Sequence, residues 1–151
     1  MQIESLEIKN YRLFRDTKLT NIPRLCVLVG ANGTGKSTLF DIFSFLKDAL
    51  SMNVSKAVSR RGGYKELASR GFASEPIEIS MQFRMEITGY DRLVTYILKL
   101  EPDKTNRPVI AREILRYKRG ANGKPYHFLD FTYGKGTPLL TKKIFPSPMK
   151  I

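Results

Sequence analysis

The residues with the clearest chemistry lie in one short loop near the N-terminus. The stretch is Gly30-Ala31-Asn32-Gly33-Thr34-Gly35-Lys36-Ser37, and Thr38 follows it directly. It fits the spacing G-x-x-x-x-G-K-[ST], in which glycines let the backbone bend so that many N–H groups face one anion. The spacing therefore predicts a site for the phosphate groups of a nucleotide.

Each polar side chain of the loop has an expected role. Lys36 places a positive charge against the β- and γ-phosphates, the Ser37 hydroxyl ligates Mg²⁺, and Thr38 donates to the α-phosphate. The loop itself does not distinguish ATP from GTP. The sequence holds no N-K-x-D tetrad of the kind that reads guanine, which favours ATP with Mg²⁺ as the ligand.

Two elements must hold this loop in place. Before it, residues 25–29 form a continuous apolar run, which predicts a strand buried on both faces, as in a parallel sheet. After it, apolar residues recur at three- and four-residue spacing, which predicts an amphipathic helix. These residues are Leu39, Ile42, Phe43, Leu46 and Leu50. Residues 25–50 thus predict a strand, a glycine loop and a helix.

The rest of the chain alternates apolar and polar residues, which is the period of β-strands. Residues 2–9 and 17–20 predict two short strands, and residues 76–133 predict four successive strands joined by short links. Such strands normally form an antiparallel meander. We therefore expect strands, loop and helix at 1–50, a basic connecting loop at 51–75, an antiparallel β subdomain at 76–133 and a frayed tail at 134–151.

Composition narrows the class of protein. With 151 residues, 42% hydrophobic and 26% charged, the chain is long enough for one domain and too apolar for a disordered protein. No run approaches the roughly 20 apolar residues of a membrane helix, and the N-terminus has no signal-peptide pattern. Cys26 and His127 are each the single residue of their type, so we expect no internal disulfide and no zinc site. These features predict a cytoplasmic protein without a structural metal.

Two motifs together resemble one group of ATPases. The first is Lys9-Asn10-Tyr11-Arg12-Leu13-Phe14 at the end of the first predicted strand, and the second is the glycine loop with Asn32. They resemble the N-terminal segment of ABC-type ATPases of the RecF, SMC and OLD-like kind, which include many AAA family ATPases and predicted ATPases. Glu113-Ile114-Leu115 also resembles a strand motif of OLD-like members. The resemblance covers about residues 1–133, and residues 1–45 are its specific part.

The resemblance implies a fold class and a function. The fold is α/β, the N-terminal half of a P-loop NTPase with a buried strand, the P-loop and a helix, joined to an antiparallel β meander subdomain. The activity is ATP hydrolysis in DNA repair, DNA maintenance or phage defence, by a dimer that sandwiches the nucleotide. Arg12 matches a basic residue of the family that lies near bound nucleotide or DNA; a solvated turn arginine is the alternative. The implied partners are ATP, nucleic acid, and a second copy or complementing chain.

The catalytic carboxylates of that family have no clear counterpart in the chain. They form an Asp-Glu pair after an apolar strand, where they hold Mg²⁺ and orient the attacking water. Asp130 is the nearest candidate, but Phe131 follows it, and His127 precedes it where the family's switch histidine follows such a strand. The signature motif is also missing. We therefore expect an N-terminal half that binds ATP and hydrolyses it poorly, and we assign no catalytic residue.

Charge supports a second interpretation. The 26 basic and 14 acidic residues give a net charge of +12, which indicates phosphate-rich or acidic partners. Evenly spaced basic residues on one predicted strand would form a nucleic-acid-binding β platform, with nucleotide as a structural or regulatory ligand. These are Arg112, Arg116 and Lys118, with Arg119 and Lys124 in the following turn. A small-molecule kinase shares the loop but continues with parallel strand–helix units, whereas this chain turns antiparallel.

Overall fold

A computed structural model describes residues 1–118 and 125–136 of the chain. The strands of these residues are β1 (Gln2–Tyr11), β2 (Phe14–Thr20), β3 (Ile77–Ile87), β4 (Tyr90–Pro102), β5 (Pro108–Tyr117), β6 (Tyr126–Thr132) and β7 (Lys135–Gly136). The helices are α1 (Lys36–Ser51), α2 (Val54–Ser59) and α3 (Tyr64–Leu67). All seven strands form one antiparallel sheet in the order β2-β1-β3-β4-β5-β6-β7.

One face of the sheet is apolar and carries the core. In the strand register, Ile8 lies opposite Ile79, and Ile79 lies opposite Leu98. Because side chains alternate between the two faces of a sheet, these residues line up on the same side. Ile42 and Phe45 of α1 are fully buried in the same cluster. The helix that follows the glycine loop is therefore packed on the apolar face.

The meander of β3 to β6 forms as its alternating pattern predicts. Between β3 and β4 the turn is two residues long, and both Thr88 and Gly89 have positive φ, at 52° and 78°. Two consecutive positive φ values are the property of the type I′ turn, whose twist matches that of paired antiparallel strands. The strands predicted within residues 2–9, 17–20 and 76–133, the predicted helix and the α/β fold class with an antiparallel sheet are confirmed.

Residues 25–29 differ from the prediction of a buried strand. They lie outside the sheet, and Leu25, Val27 and Val29 are 82%, 76% and 91% exposed. A strand that is buried on both faces needs neighbouring strands for its backbone groups and cover for both rows of side chains. The part of the chain that the structure describes supplies neither, so this apolar segment remains in solvent.

Residues 51–75 contain more structure than the predicted basic connecting loop. They include α2 and α3, and Val58 and Leu67 are buried in the core. The Tyr64 hydroxyl, also in the core, donates to Glu75 O at 2.8 Å and accepts from Ile77 N at 3.1 Å, and burial raises the pKa of Tyr64 to about 12. α2 has only six residues, too few for an apolar period to be visible in the sequence, which explains why it was not predicted.

The predicted tail begins with a short paired segment. Lys135–Gly136 forms β7 beside β6, and the remainder of the tail, from residue 137 onward, lies outside the described residues. Across those described ranges, no helix combines the length and the apolar character needed to cross a bilayer.

Candidate functional site

The glycine loop ends where α1 begins. Gly33 and Gly35 have φ values of 84° and 95°, a conformation that favours glycine. Gly35 is the N-cap of α1, and within the described residues no side chain caps the helix and no acidic residue lies in its first turn. The bond from Leu39 N to Gly35 O, at 2.9 Å, leaves the amides of residues 36–38 without acceptors inside the helix. Free amides at the positive end of a helix dipole are suited to bind an anion.

The Lys36 ammonium lies over the loop. Its Nζ donates to Gly30 O at 2.5 Å and to Ala31 O at 2.6 Å, and it lies 3.5 Å from Thr34 Oγ1. Ser37 is exposed, so its hydroxyl is accessible to a metal–phosphate complex, whereas Thr38 is 8% exposed. Among the described residues, no group of three or more His, Cys, Asp and Glu side chains is arranged to hold a metal ion. The single hydroxyl of Ser37 fits a Mg²⁺ ion that takes most of its ligands from phosphate and water.

The tip of the β1–β2 hairpin packs against this loop. A Cβ added at Gly35 would lie 3.0 Å from Cε1 and 3.1 Å from Cζ of Phe14, so the phenyl ring contacts the glycine directly. Arg12 N donates to Leu67 O at 2.7 Å, which fastens the tip to α3. The hairpin tip therefore supports the start of α1 from the side of the sheet.

Asn10 connects the same hairpin to the segment before β3. It is 2% exposed and has a positive φ of 57°. Its Nδ2 donates to Phe72 O and to Glu75 O, both at 2.9 Å, and its Oδ1 accepts from Ser69 N at 3.2 Å. One buried amide side chain thus holds three points of residues 69–75.

The Asp41 carboxylate is the centre of a charged cluster one turn into α1. The Tyr11 hydroxyl donates to its Oδ2 at 2.8 Å, and Arg61 Nε donates to its Oδ1 at 2.9 Å. Arg12 Nε lies 3.3 Å from Oδ2. Burial and the hydrogen bond to Asp41 raise the pKa of Tyr11 well above its ordinary value, so the phenol stays protonated. The cluster joins the hairpin tip, α1 and the turn after α2.

An apolar groove lies beside the loop. It has a volume of about 550 Å³ and lies between the β1–β2 hairpin, the segment that precedes the glycine loop, and α1. Its apolar lining includes Leu19, Ile22, Leu28, Leu39, Phe40 and Phe43. Phe40 is 64% exposed. The groove and the exposed residues 25–29 together form the least covered apolar region among the described residues near the loop.

The other predicted candidates lie far from the loop. Asp130 is in β6, where its carboxylate contacts His127 Nδ1 at 2.9 Å and Arg112 Nη2 at 3.4 Å. Three strands separate β6 from β1 in the sheet, which at the usual strand spacing is about 19 Å. Glu113 accepts a 2.8 Å hydrogen bond from the Tyr96 hydroxyl. Each of these carboxylates therefore pairs with a side chain within the sheet and does not contact the glycine loop.

The structure describes three of the five residues of the predicted basic platform. In the register, Arg112 lies opposite Lys99 and Arg116 lies opposite Thr95, so the two arginines share one face of the sheet. Lys118 is exposed at the end of β5. Arg119 and Lys124 lie outside the described residues.

Sequence reasoning missed Asp41, Asp48 and Arg61. Arg61 Nη1 donates to Asp48 Oδ2 at 2.8 Å, and Arg61 is the shared partner of both carboxylates. The available signal was the seven-residue spacing of Asp41 and Asp48, which places them on the same side of a helix. A nearby pair of arginines supplies the opposite charge.

Comparisons with known proteins agree with this architecture. The model of the family described as the AAA ATPase domain matches residues 1–135. The DNA replication and repair protein RecF of Lactococcus lactis subsp. cremoris (strain MG1363) is 26% identical over 146 residues, covering 89% of this chain and 39% of the relative. RecF of Lacticaseibacillus casei (strain BL23) is 27% identical over 144 residues, with 91% and 39% coverage. The chain thus spans about two fifths of the length of these relatives.

A solved structure supports the fold. It comes from work on ATP-driven dimerization and DNA-stimulated activation of SMC ATPases, and it aligns with a TM-score of 0.51 and 22% identity. The alignment covers 83% of this chain and 72% of that chain. The likeness to the N-terminal portion of RecF- and SMC-like P-loop ATPases is therefore present in both sequence and fold, and the family match over residues 1–135 shows that the chain belongs to the AAA ATPase domain family.

Proposed function

We propose that the chain binds ATP with Mg²⁺ through residues 30–38. The observation that carries the proposal is the start of α1, where Gly35 leads into amides that have no acceptor in the helix and no side-chain cap. Such amides, with the helix dipole, favour the oxygens of a polyphosphate. The Ser37 hydroxyl is the metal ligand, and Thr38 contacts the α-phosphate. The ATPase family membership and the similarity to RecF support the same ligand.

Lys36 exchanges partners when the nucleotide binds. Its ammonium has three donors, and two of them point at the carbonyls of Gly30 and Ala31. Phosphate oxygens carry a full charge and accept stronger hydrogen bonds than neutral carbonyls. The β- and γ-phosphates therefore take up at least one of these donors.

Arg12 is the second cation of the proposed site. It belongs to the hairpin tip that packs on the loop, and its side chain is 36% exposed. Asp41, which it approaches, lies four residues after Ser37, or about 6 Å along the helix axis. This placement supports a contact between the Arg12 guanidinium and bound nucleotide.

Hydrolysis by this chain alone is slow in this proposal. Positioning and charge stabilisation supply most of the catalysis of phosphoryl transfer, and this requires carboxylates that orient Mg²⁺ and water. Asp130 lies across the sheet from the loop. We infer that a complementing chain supplies these groups. The exposed apolar residues 25–29 and the groove beside them support this, because such surfaces are usually covered by protein.

Calorimetric titration with Mg·ATP tests the binding. We expect heat of binding for the wild-type chain and none for Lys36→Ala, because that variant loses the full charge in the loop. Lys47→Ala is the matched control, since Lys47 is an exposed lysine on the same helix, 11 residues away and about 16 Å along the axis. Equal binding by wild type and Lys36→Ala would contradict the proposal. A steady-state phosphate-release assay should give slow turnover with the chain alone.

The RecF relatives support a proposed role of this chain in DNA repair or maintenance. They carry the name DNA replication and repair protein RecF, which supports DNA maintenance over phage defence for this chain.

A second candidate function is nucleic-acid binding by the sheet, with nucleotide as a structural or regulatory ligand. The observation in its favour is that Arg112 and Arg116 share one face of the sheet, where two basic side chains favour the phosphates of a nucleic acid. Binding of duplex DNA that weakens steeply with salt, and weakens further in an Arg112→Gln and Arg116→Gln double variant, would support it. No binding at low salt would contradict it.

A further inference from the structure

Two arginines approach one carboxylate in the cluster around Asp41. Arg61 takes Oδ1 with a well-formed hydrogen bond of 2.9 Å, and Tyr11 takes Oδ2 at 2.8 Å. Arg12 Nε is 3.3 Å from Oδ2, is buried, and makes no hydrogen bond to any described residue. Arg12 therefore pairs with Asp41 through charge alone, because both carboxylate oxygens already accept hydrogen bonds, from Arg61 and from Tyr11.

Arg61 is held rigidly in this position. Its side chain is 7% exposed and contacts Asp41 and Asp48, and it also donates to Ala57 O at 2.9 Å and Ser44 Oγ at 3.0 Å. Burial alone would lower the pKa of Arg61, but the hydrogen bonds to the two carboxylates outweigh it, so the pKa is raised and the guanidinium stays charged. The arginine neutralises both carboxylates of α1.

The turn after Arg61 is built for this placement. Gly62 and Gly63 have φ values of 89° and 98°, and a Cβ on Gly62 would come within 3.1 Å of Glu66 Cγ. Arg60, the preceding residue, points outward instead, with a side chain 62% exposed and one contact of 3.4 Å to Asp48. Only one of the two neighbouring arginines reaches Asp41 in the described structure.

We infer that Arg61 is a positioning residue that weakens the hold of Asp41 on Arg12 by taking one carboxylate oxygen, so that the Arg12 guanidinium remains available to an anion at the start of α1. The inference rests on the proposed function, since that anion is the phosphate tail of the nucleotide. When Arg61 is absent, one oxygen of Asp41 loses its hydrogen bond and Arg12 is the cation that still pairs with this carboxylate. Arg12 then forms a tighter, hydrogen-bonded ion pair with Asp41 and is lost to the nucleotide.

A double-mutant cycle on the Mg·ATP dissociation constant tests the inference. We expect Arg12→Ala to weaken binding about tenfold, the loss of one charge-assisted hydrogen bond. We expect Arg61→Gln to weaken it by a similar factor, and Arg12→Ala to have no further effect in the Arg61→Gln background. Adding Asp41→Asn to Arg61→Gln should restore affinity, because the amide no longer attracts Arg12. Arg60→Gln, the matched control, should bind as wild type does.

A purely structural role of Arg61 gives a different result. In that case the effects of Arg12→Ala and Arg61→Gln multiply to about a hundredfold, and Asp41→Asn gives no rescue, which would overturn the inference. Urea unfolding of each variant shows that the compared proteins are folded.

A second measurement is independent of nucleotide. The Arg12 Nε–H resonance in a nitrogen–proton NMR spectrum should shift downfield in Arg61→Gln, because the group gains the hydrogen bond to Asp41 that it lacks in the wild type. An unchanged resonance would overturn the inference even where ATP binds as proposed. If wild type shows no Mg·ATP binding but the resonance shifts, the proposed function fails and the competition for Asp41 stands.

Discussion

Two apolar segments of similar composition have opposite surroundings in this molecule. Residues 25–29 and the centre of β4 both combine valine and leucine with few polar residues. In β4, Val94 and Leu98 are each 1% exposed, whereas Val27 and Val29 of the first segment are 76% and 91% exposed. β4 lies between β3 and β5, and residues 25–29 have no neighbouring strand among those described.

The contrast shows which property the local pattern determines. An apolar, β-branched run fits the surface of a sheet, but this preference depends strongly on its surroundings. Burial depends on whether other strands and helices are placed to cover it, and that is a property of the whole fold. Residues 25–29 therefore have the composition of a buried strand, but no strand or helix among the described residues covers them. They directly precede the proposed phosphate site.

The largest expected effect is a difference in unfolding free energy between substitutions in the two segments. Leu98→Ala should cost about 2–5 kcal/mol of unfolding free energy, because it leaves a cavity in the core. Val27→Ala should change it by no more than about 0.5 kcal/mol, as for other exposed positions. Urea unfolding of both variants measures the difference. A cost for Val27→Ala that approaches that of Leu98→Ala, and that grows with protein concentration, would show that this segment is buried between copies.

The next effect concerns residues 69–75, which lie outside the strands and are held in place by hydrogen bonds to Asn10. Asn10→Ala removes the side chain that bonds to residues 69, 72 and 75, and leaving buried groups unsatisfied should cost about 2–3 kcal/mol. Asn106→Ala is the control, because Asn106 has a similar φ of 59° in an exposed loop and carries the same backbone strain. Equal losses in thermal or urea unfolding would mean that backbone strain, not hydrogen bonding, explains Asn10.

A smaller effect is expected within the glycine loop. Gly33→Ala and Gly35→Ala both place a Cβ at positive φ, which costs about 1–2 kcal/mol. Only Gly35→Ala also displaces the Phe14 ring, since nothing lies within 4 Å of a Cβ at Gly33. We expect the larger loss of stability for Gly35→Ala. The reverse order, measured by urea unfolding, would show that the loop does not rest on the hairpin tip.

The smallest expected effect is a pH dependence at the end of β4. The Tyr133 hydroxyl, which donates to Glu101 at 2.6 Å, and a hydrogen bond from Lys99 lower the pKa of Glu101. A lowered pKa stabilises the fold above the ordinary glutamate pKa, and this contribution is lost as the pH falls through the folded-state value. Glu101→Gln should therefore cost about 0.2–1 kcal/mol at neutral pH, as for a partly exposed ion pair. Stability measured from neutral pH down to pH 3 should show the gap between Glu101→Gln and wild type closing, whereas Glu86→Gln, at an exposed position of β3, should show no such gap.

Periodicity was a sufficient guide where one face of an element is buried. The alternation from Ile77 to Ile87 predicted β3, and the spacing of Ile42 and Leu46 predicted α1. It failed for Val58 and its neighbours, because α2 has six residues and no helical period can be recognised in so short a segment. It also could not predict the Asp41 cluster, since charge pairing between α1 and a distant turn depends on how the helices pack.

The glycine loop itself was predictable from spacing, and its support was not. Gly35 and Lys36 lie where the motif places them, at the start of α1. The contact of Phe14 with Gly35 joins two motifs that are some twenty residues apart in the sequence, and no local pattern reports it. Residues that could bind a nucleotide can thus be predicted from the sequence, whereas the residues that position them are identified only from the fold.

The place of β1 in the sheet has a consequence for synthesis of the chain. β1 is flanked by β2, which follows it at once, and by β3, which begins at Ile77. A ribosome therefore releases the first hairpin well before the strand that covers its other edge. During that interval the open edge of β1 is available to other strands. The nascent chain must therefore avoid pairing along this edge while residues 21–76 are made, until Ile77–Ile87 emerges and covers it.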